Sequence, residues 1–260
     1  MKLARIVATL VGTWLAFLFV LGFVLSRRTA DRVASRFASS LHATATIGDS
    51  SLGLVLGNFS FEKLVIRRDD VIGTLAIDVG EVHCDLAPLG IAFVDRSCGD
   101  LEIRDVELEL STVALFKLQR PKRTPFTAER VVIDNANLVF SPSAFLPGLG
   151  EIRIAIEHAE AGPTTFKTPL SWLYALEQLR ARFELPAGIT LRLTFDRGKL
   201  TAVGSVFGST PVELPLALPK LDDADDAQAE IKKLVAFGKD LAEKLVAQKA
   251  EDLLKKLPIP

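Results

Sequence analysis

An extended strand sends successive side chains to opposite faces, so residues two apart share a side. Four stretches of this chain follow that rule and then break it once, each in the same way. They read Phe59-x-Phe61-x-x-Leu64-x-Ile66, Ile77-x-Val79-x-x-Val82-x-Cys84-x-Leu86, Leu101-x-Ile103-x-x-Val106-x-Leu108-x-Leu110 and Val131-x-Ile133-x-x-Ala136-x-Leu138-x-Phe140. The x-x step would turn the second half of each apolar set to the wrong face. A β-bulge restores it, because one extra residue re-aims the strand and bends it. The pattern therefore predicts bulges at Glu62-Lys63, Gly80-Glu81, Arg104-Asp105 and Asp134-Asn135. Strands kinked at matching depth give a curved sheet, apolar on the inside, and that shape suits a hydrophobic cargo.

The rest of the chain fits around this sheet. Ile6 to Leu25 carries no charge and, as a helix, is ~30 Å long, about the thickness of the bilayer's hydrocarbon core. Lys2 and Arg5 precede it, and Arg27 and Arg28 follow at once, a pattern of a retained anchor rather than a cleaved signal. The charge bias of Arg27, Arg28, Arg32 and Arg36 argues for a cytoplasmic domain. The basic start followed by an apolar run argues for a bacterial signal-anchor with the domain outside, and this is the expectation carried forward. Thr29 to Leu41 reads as a helix capped by Thr29, with Val33, Phe37 and Leu41 on one face.

Strands are expected from about residue 43 to 160, with Ala87 to Val94 as a short turn between antiparallel neighbours, and Ile152, Ile154 and Ile156 continue the inward set. Behind Thr168-Pro169, the residues Trp172, Leu176, Leu179 and Phe183 have helical core spacing and predict one internal helix. Asp196-Arg197-Gly198 predicts a hairpin turn. From about 224 to 257, Ile231, Leu234, Val235, Leu241, Leu245, Leu253 and Leu257 mark one face of an amphipathic helix. That helix either packs on the domain or lies on a membrane surface. The expected organisation is an anchor over 1–28, a β-rich groove domain over 29–219, and a C-terminal amphipathic helix over 220–260. The expected fold class is mainly β with flanking helices, built on a curved antiparallel sheet that forms an apolar groove.

Chemistry-bearing motifs are sparse. His42, His83 and His158 lack metal-ligand spacing, and no nucleophile-elbow, phosphate-loop or dinucleotide motif occurs. With 31 basic and 32 acidic residues, no net field recruits nucleic acid. Neither an enzyme nor a cofactor is expected. Cys84 and Cys98 either form a cross-strand disulfide or remain small buried hydrophobes. Lys117, Arg120, Lys122 and Arg123 crowd the connection between the third and fourth repeats, which Pro121 and Pro125 stiffen, as a solvated loop or as a contact for anionic lipid headgroups.

The segments SSLHATATIGDSSLGLVLGNFSFEKLVI, TLAIDVGEVHCDLAPLGIAFVDRSCGDLEIRDVELEL and PFTAERVVIDNANLVF, following the apolar N-terminus, resemble the start of AsmA/TamB-like proteins over roughly residues 1 to 140. The likeness rests on pattern, including the strand-Asp134-Asn135-Ala136-strand motif, and not on catalytic residues. It implies a single-pass protein of the bacterial inner membrane with a periplasmic β-groove, acting in phospholipid transport or outer-membrane homeostasis. The departure is length: at ~4.8 Å per strand, about ten strands give a groove of only ~50 Å, too short to cross the envelope. Membrane lipid is then the partner, together with a second copy of the chain or other envelope proteins. The residues expected to line the groove are Ile77, Val79, Val82, Leu101, Ile103, Val106, Leu108, Ile133, Leu138 and Phe140. The alternative is an envelope scaffold whose apolar faces are filled by its own helices.

Overall fold

The computed structural model describes residues 21, 24–35, 38–39, 43–53, 57–68, 74–86, 97–111, 126–141, 150–166, 171–205, 208–218 and 227–256. One sheet organises them, with strands β1 (Thr44–Gly53), β2 (Asn58–Arg68), β3 (Leu75–Asp85), β4 (Ser97–Ser111), β5 (Phe126–Ser141), β6 (Ile152–Ala161), β7 (Thr164–Phe166), β8 (Leu176–Leu185), β9 (Ile189–Asp196), β10 (Lys199–Gly204) and β11 (Gly208–Pro215). They lie side by side in the order β1-β2-β3-β4-β5-β6-β8-β9-β10-β11, with β7 extending the β6 side along β5. The sheet does not close on itself: β1 and β11 are its two edges.

The fold is mainly β, as the alternation requires, but the sheet is mixed rather than antiparallel. β4 and β5 run parallel, Leu101 beside Val131 and Leu108 beside Leu138. Parallel neighbours need a crossover of roughly a dozen residues or more, and residues 112–125 separate the two strands. The apolar spacing could not reveal this. Its in-x-in-x-x-in-x-in rhythm reads the same in both directions, so it fits either neighbour.

The expected internal helix is absent. Ser171–Ala175 forms a short 3-10 turn, and Leu176–Leu185 is strand β8. Leu176 and Leu179 are three apart because the strand bulges at Glu177: Gln178 faces Glu160, while Leu176 faces Ala161. From there Leu179, Ala181 and Phe183 alternate onto one side. A bulged strand and a helical face share the i, i+3 spacing, and here the neighbouring strand β6 decides in favour of the strand.

Helical structure flanks the sheet. Residues 24–35 are helical, so the helix already runs through position 29. Thr29 is therefore not its cap; the Thr29 hydroxyl donates back to the Leu25 carbonyl at 2.7 Å. Residues 1–20 lie outside the described residues, and among the described ones no helix is long and apolar enough to cross a membrane. At the other end, Ala227–Lys256 is one long helix set against β11. Its Leu245 is buried in the same apolar cluster as the sheet, with Leu241 packed beside it. The β9–β10 hairpin turns on Arg197 and Gly198, both at positive φ, which is the type I′ geometry that matches strand twist.

Candidate functional site

The core is a single face of the sheet. One row of paired residues runs Leu64, Val79, Val106, Ala136, Ile156, Ala181, Leu193, Ala202 and Val212 across successive strands. A second runs Phe61, Val82, Ile103, Ile133, Ala159, Leu179, Phe195, Leu200 and Leu214. Every member is apolar. The opposite face carries the polar set, and its cross-strand ion pairs include Arg67 with Asp78, Arg104 with Glu81 at 3.5 Å, and Lys199 with Glu213 at 2.6 Å. The His158 Nδ1 lies 2.6 Å from Asp134 Oδ1. Arg130 donates from Nε to Glu160 at 2.6 Å, and that bond and charge raise its pKa above the ordinary arginine value. These exposed pairs solvate the face and each contribute ~0–1 kcal/mol.

Between the two apolar rows lies the predicted slip. In every pairing from β1 to β6, one residue on each strand drops out of register: Gly48 with Lys63, Lys63 with Gly80, Gly80 with Asp105, Asp105 with Asn135, and Asn135 with Glu157. Because neighbours each hold one extra residue, the pairing beyond the line is undisturbed. The line ends at β8, where Glu157 has no counterpart and the register shifts. Lys63, Asp105 and Asn135 take left-handed backbone with φ near +55° (55°, 54° and 56°). Asp and Asn tolerate that region better than most residues, because a short polar side chain bonds locally, and Asn135 Nδ2 donates to Asp105 Oδ1 at 2.6 Å.

Glycine alternates with these residues for a steric reason. A Cβ added to Gly80 would sit 2.8 Å from the Asp105 Cβ, and one on Gly48 would sit 3.0 Å from the Lys63 Cβ. From β1 to β4 the line thus pairs a left-handed residue with a glycine on the adjoining antiparallel strand, whereas on β6 Glu157 meets Asn135. On the polar side it opens a shallow depression of about 330 Å³ edged by Asp78, Asp105, Glu107, Asn135 and Asn137.

All ten residues expected to line the groove lie on the apolar face. Val79, Leu101 and Ile133 are buried, whereas Ile77, Val82, Ile103, Val106, Leu108, Leu138 and Phe140 are only half-buried. The apolar face extends beyond these ten residues, through Leu179, Ala181 and Phe183 of β8 to β11. The same x-x step, in Ile154-x-Ile156-x-x-Ala159-x-Ala161 and in Leu176-x-x-Leu179-x-Ala181-x-Phe183, was the signal available for it. Lys117, Arg120, Lys122 and Arg123 lie outside the described residues.

Cys84 and Cys98 form a disulfide, with Cα atoms 5.7 Å apart and both side chains buried at one end of the apolar face. It ties β3 to β4 across the connection between them. No protein-family model matches the chain, and no curated protein is similar enough to match it.

Proposed function

We propose that this chain is a non-enzymatic, membrane-anchored protein of the bacterial cell envelope that holds phospholipid acyl chains along the apolar face of its sheet. In this reading Ile6–Leu25 is a single inner-membrane span, the β domain is periplasmic, and the protein serves lipid transport or outer-membrane homeostasis in the manner of AsmA/TamB-like proteins. The observation that carries it is the set of half-buried residues Ile77, Val82, Ile103, Val106, Leu108, Leu138 and Phe140, which share the apolar face of neighbouring strands. In this reading the bulges, lined up strand after strand, bend the sheet at one level and make that set the floor of a groove. Each methylene buried there is favourable by ~0.8 kcal/mol, so a short groove suffices for useful affinity. The Cys84–Cys98 bridge supports an oxidising compartment such as the periplasm. Lys117, Arg120, Lys122 and Arg123 are the proposed headgroup contacts.

The test is to purify the full chain in mild detergent and measure bound phospholipid by mass spectrometry. Stoichiometric phospholipid that survives washing, and that falls when Ile103 and Leu138 are replaced by Asp, is the expected result. A chain that never retains or takes up phospholipid overturns the proposal.

A second reading has its own observation. Leu245 of the C-terminal helix is 3 % exposed within the same apolar cluster, so this helix covers part of the face itself. In an envelope scaffold, that kind of self-coverage would extend over the whole face. Deleting 220–260 separates the two: aggregation without lipid uptake favours the scaffold, and increased lipid uptake favours the groove.

A further inference from the structure

The two edges of the sheet are built differently. β11 carries Pro211 and Pro215, which cannot donate to a further strand, and the C-terminal helix lies against it. Among the described residues β1 has no such guard. Thr44–Gly53 contains no Pro, Lys or Arg, only one Asp, and among the described residues it pairs on one side alone, with β2. A ten-residue unguarded edge is a ready template for another strand.

The spacing on β1 says which strand fits. Its inward residues are Ala45, Ile47, Ser50 and Leu52, opposite Ile66, Leu64, Phe61 and Phe59 of β2. This is the same rhythm with the same slip, and it is palindromic. Turned end for end, β1 can pair with itself so that Ala45 faces Leu52, Ile47 faces Ser50, and Thr46 faces Ser51 of a second copy. Inward meets inward, and the extra residue Gly48 meets Asp49, so the two extra residues lie one step apart at the junction. No like charges are opposed. The register one residue away sets Asp49 against Asp49 and Ile47 against the outward Ser51, mixing the faces, so it is strongly disfavoured.

We infer that β1 is the interface of a symmetric homodimer, formed by antiparallel pairing of β1 with β1 of a second copy in the register Thr46–Ser51. The two-fold axis stands perpendicular to the sheet, so both copies turn their apolar faces to the same side. The two Thr44 ends, each preceded by a helical segment, then lie at opposite ends of the junction. The apolar rows become continuous over twice the number of strands, from ~50 Å to ~100 Å. The dimer stands whether or not acyl chains bind.

The test uses the full chain in detergent and in native membranes. Light scattering of the wild type gives the mass of two chains. T46K/S51K, which opposes like charges at both ends of the junction, shifts the monomer–dimer midpoint by about tenfold or more. T46K/S51E, which opposes unlike charges in this register, restores the dimer and shows that the edge still folds. In membranes, T46C/S51C oxidises to a disulfide-linked dimer, while T46C and S51C alone do not. A monomeric wild type together with no cross-linking of T46C/S51C overturns the inference, as does a dimer that T46K/S51K leaves unchanged.

Discussion

The sheet has two halves made on different principles. From β1 to β6 every strand holds one extra residue at the same level, and its apolar face stays partly open at Val82, Ile103, Val106, Leu108 and Leu138. From β9 to β11 the strands carry no such line, and Leu193, Phe195, Leu200, Ala202, Val212 and Leu214 are all buried, with Leu245 of the C-terminal helix in the same cluster. In the second half the pairing shifts register only between Ala202 and Gly204, and the C-terminal helix reaches the apolar cluster through Leu241 and Leu245. A line of extra residues bends strands, and in the first half large side chains beside it stay half-buried.

Substitutions separate the halves, and the largest effect belongs to the uncreased one. A Cβ at Gly204 would collide with the Thr190 carbonyl and the Leu191 Cα, both backbone. Gly204→Ala should cost more than about 3 kcal/mol, beyond the usual range for overpacking, and chemical denaturation would measure it. An effect under ~1 kcal/mol would mean that β9 and β10 are not so closely set. Next comes the disulfide of the creased half. Replacing Cys84 and Cys98 together by Ser should cost about 3 kcal/mol for a loop of this size, read as a lower denaturation midpoint. Reductant should have the same effect on the wild type and none on the double variant.

Smaller effects sharpen the account of the crease itself. Gly80→Ala brings a methyl against the Asp105 Cβ and should cost ~1–3 kcal/mol. At Lys63, with φ 55°, a β-branched residue is an outlier. Lys63→Val should destabilise by ~1–2 kcal/mol, whereas Lys63→Gly should be within ~1 kcal/mol of the wild type, since glycine escapes the left-handed penalty. If both variants behaved alike, Lys63 would not hold that backbone in solution.

Much of this was legible in the residues, and the failures are informative. The step after Phe61, Val79, Ile103 and Ile133 located the bulge line on four strands, and the left-handed Lys63, Asp105 and Asn135 sit within three of the predicted dipeptides. On β1 the same step is harder to see, because Ser50 stands at an inward position. On β6, which Ile152, Ile154 and Ile156 mark as a strand, the step is hard to see because Ala159 and Ala161, which complete the inward set, are small. On β8 the step imitated a helix. The direction of β5 was hidden for a different cause: a palindromic rhythm carries no polarity, so only the crossover over residues 112–125 distinguishes parallel from antiparallel. Whether the apolar face holds a ligand, and how the apolar N-terminal segment is oriented, depend on a bilayer, which no spacing of side chains encodes.

The most direct measurement places a photo-reactive amino acid at Ile103 or Leu138, on the apolar face, and at Glu102 or Asn137 on the polar face, in the full chain in native membranes. Irradiation should attach phospholipid at Ile103 and Leu138 and not at Glu102 or Asn137. Equal labelling of both faces, or none on the apolar one, would contradict an acyl-chain site on this sheet.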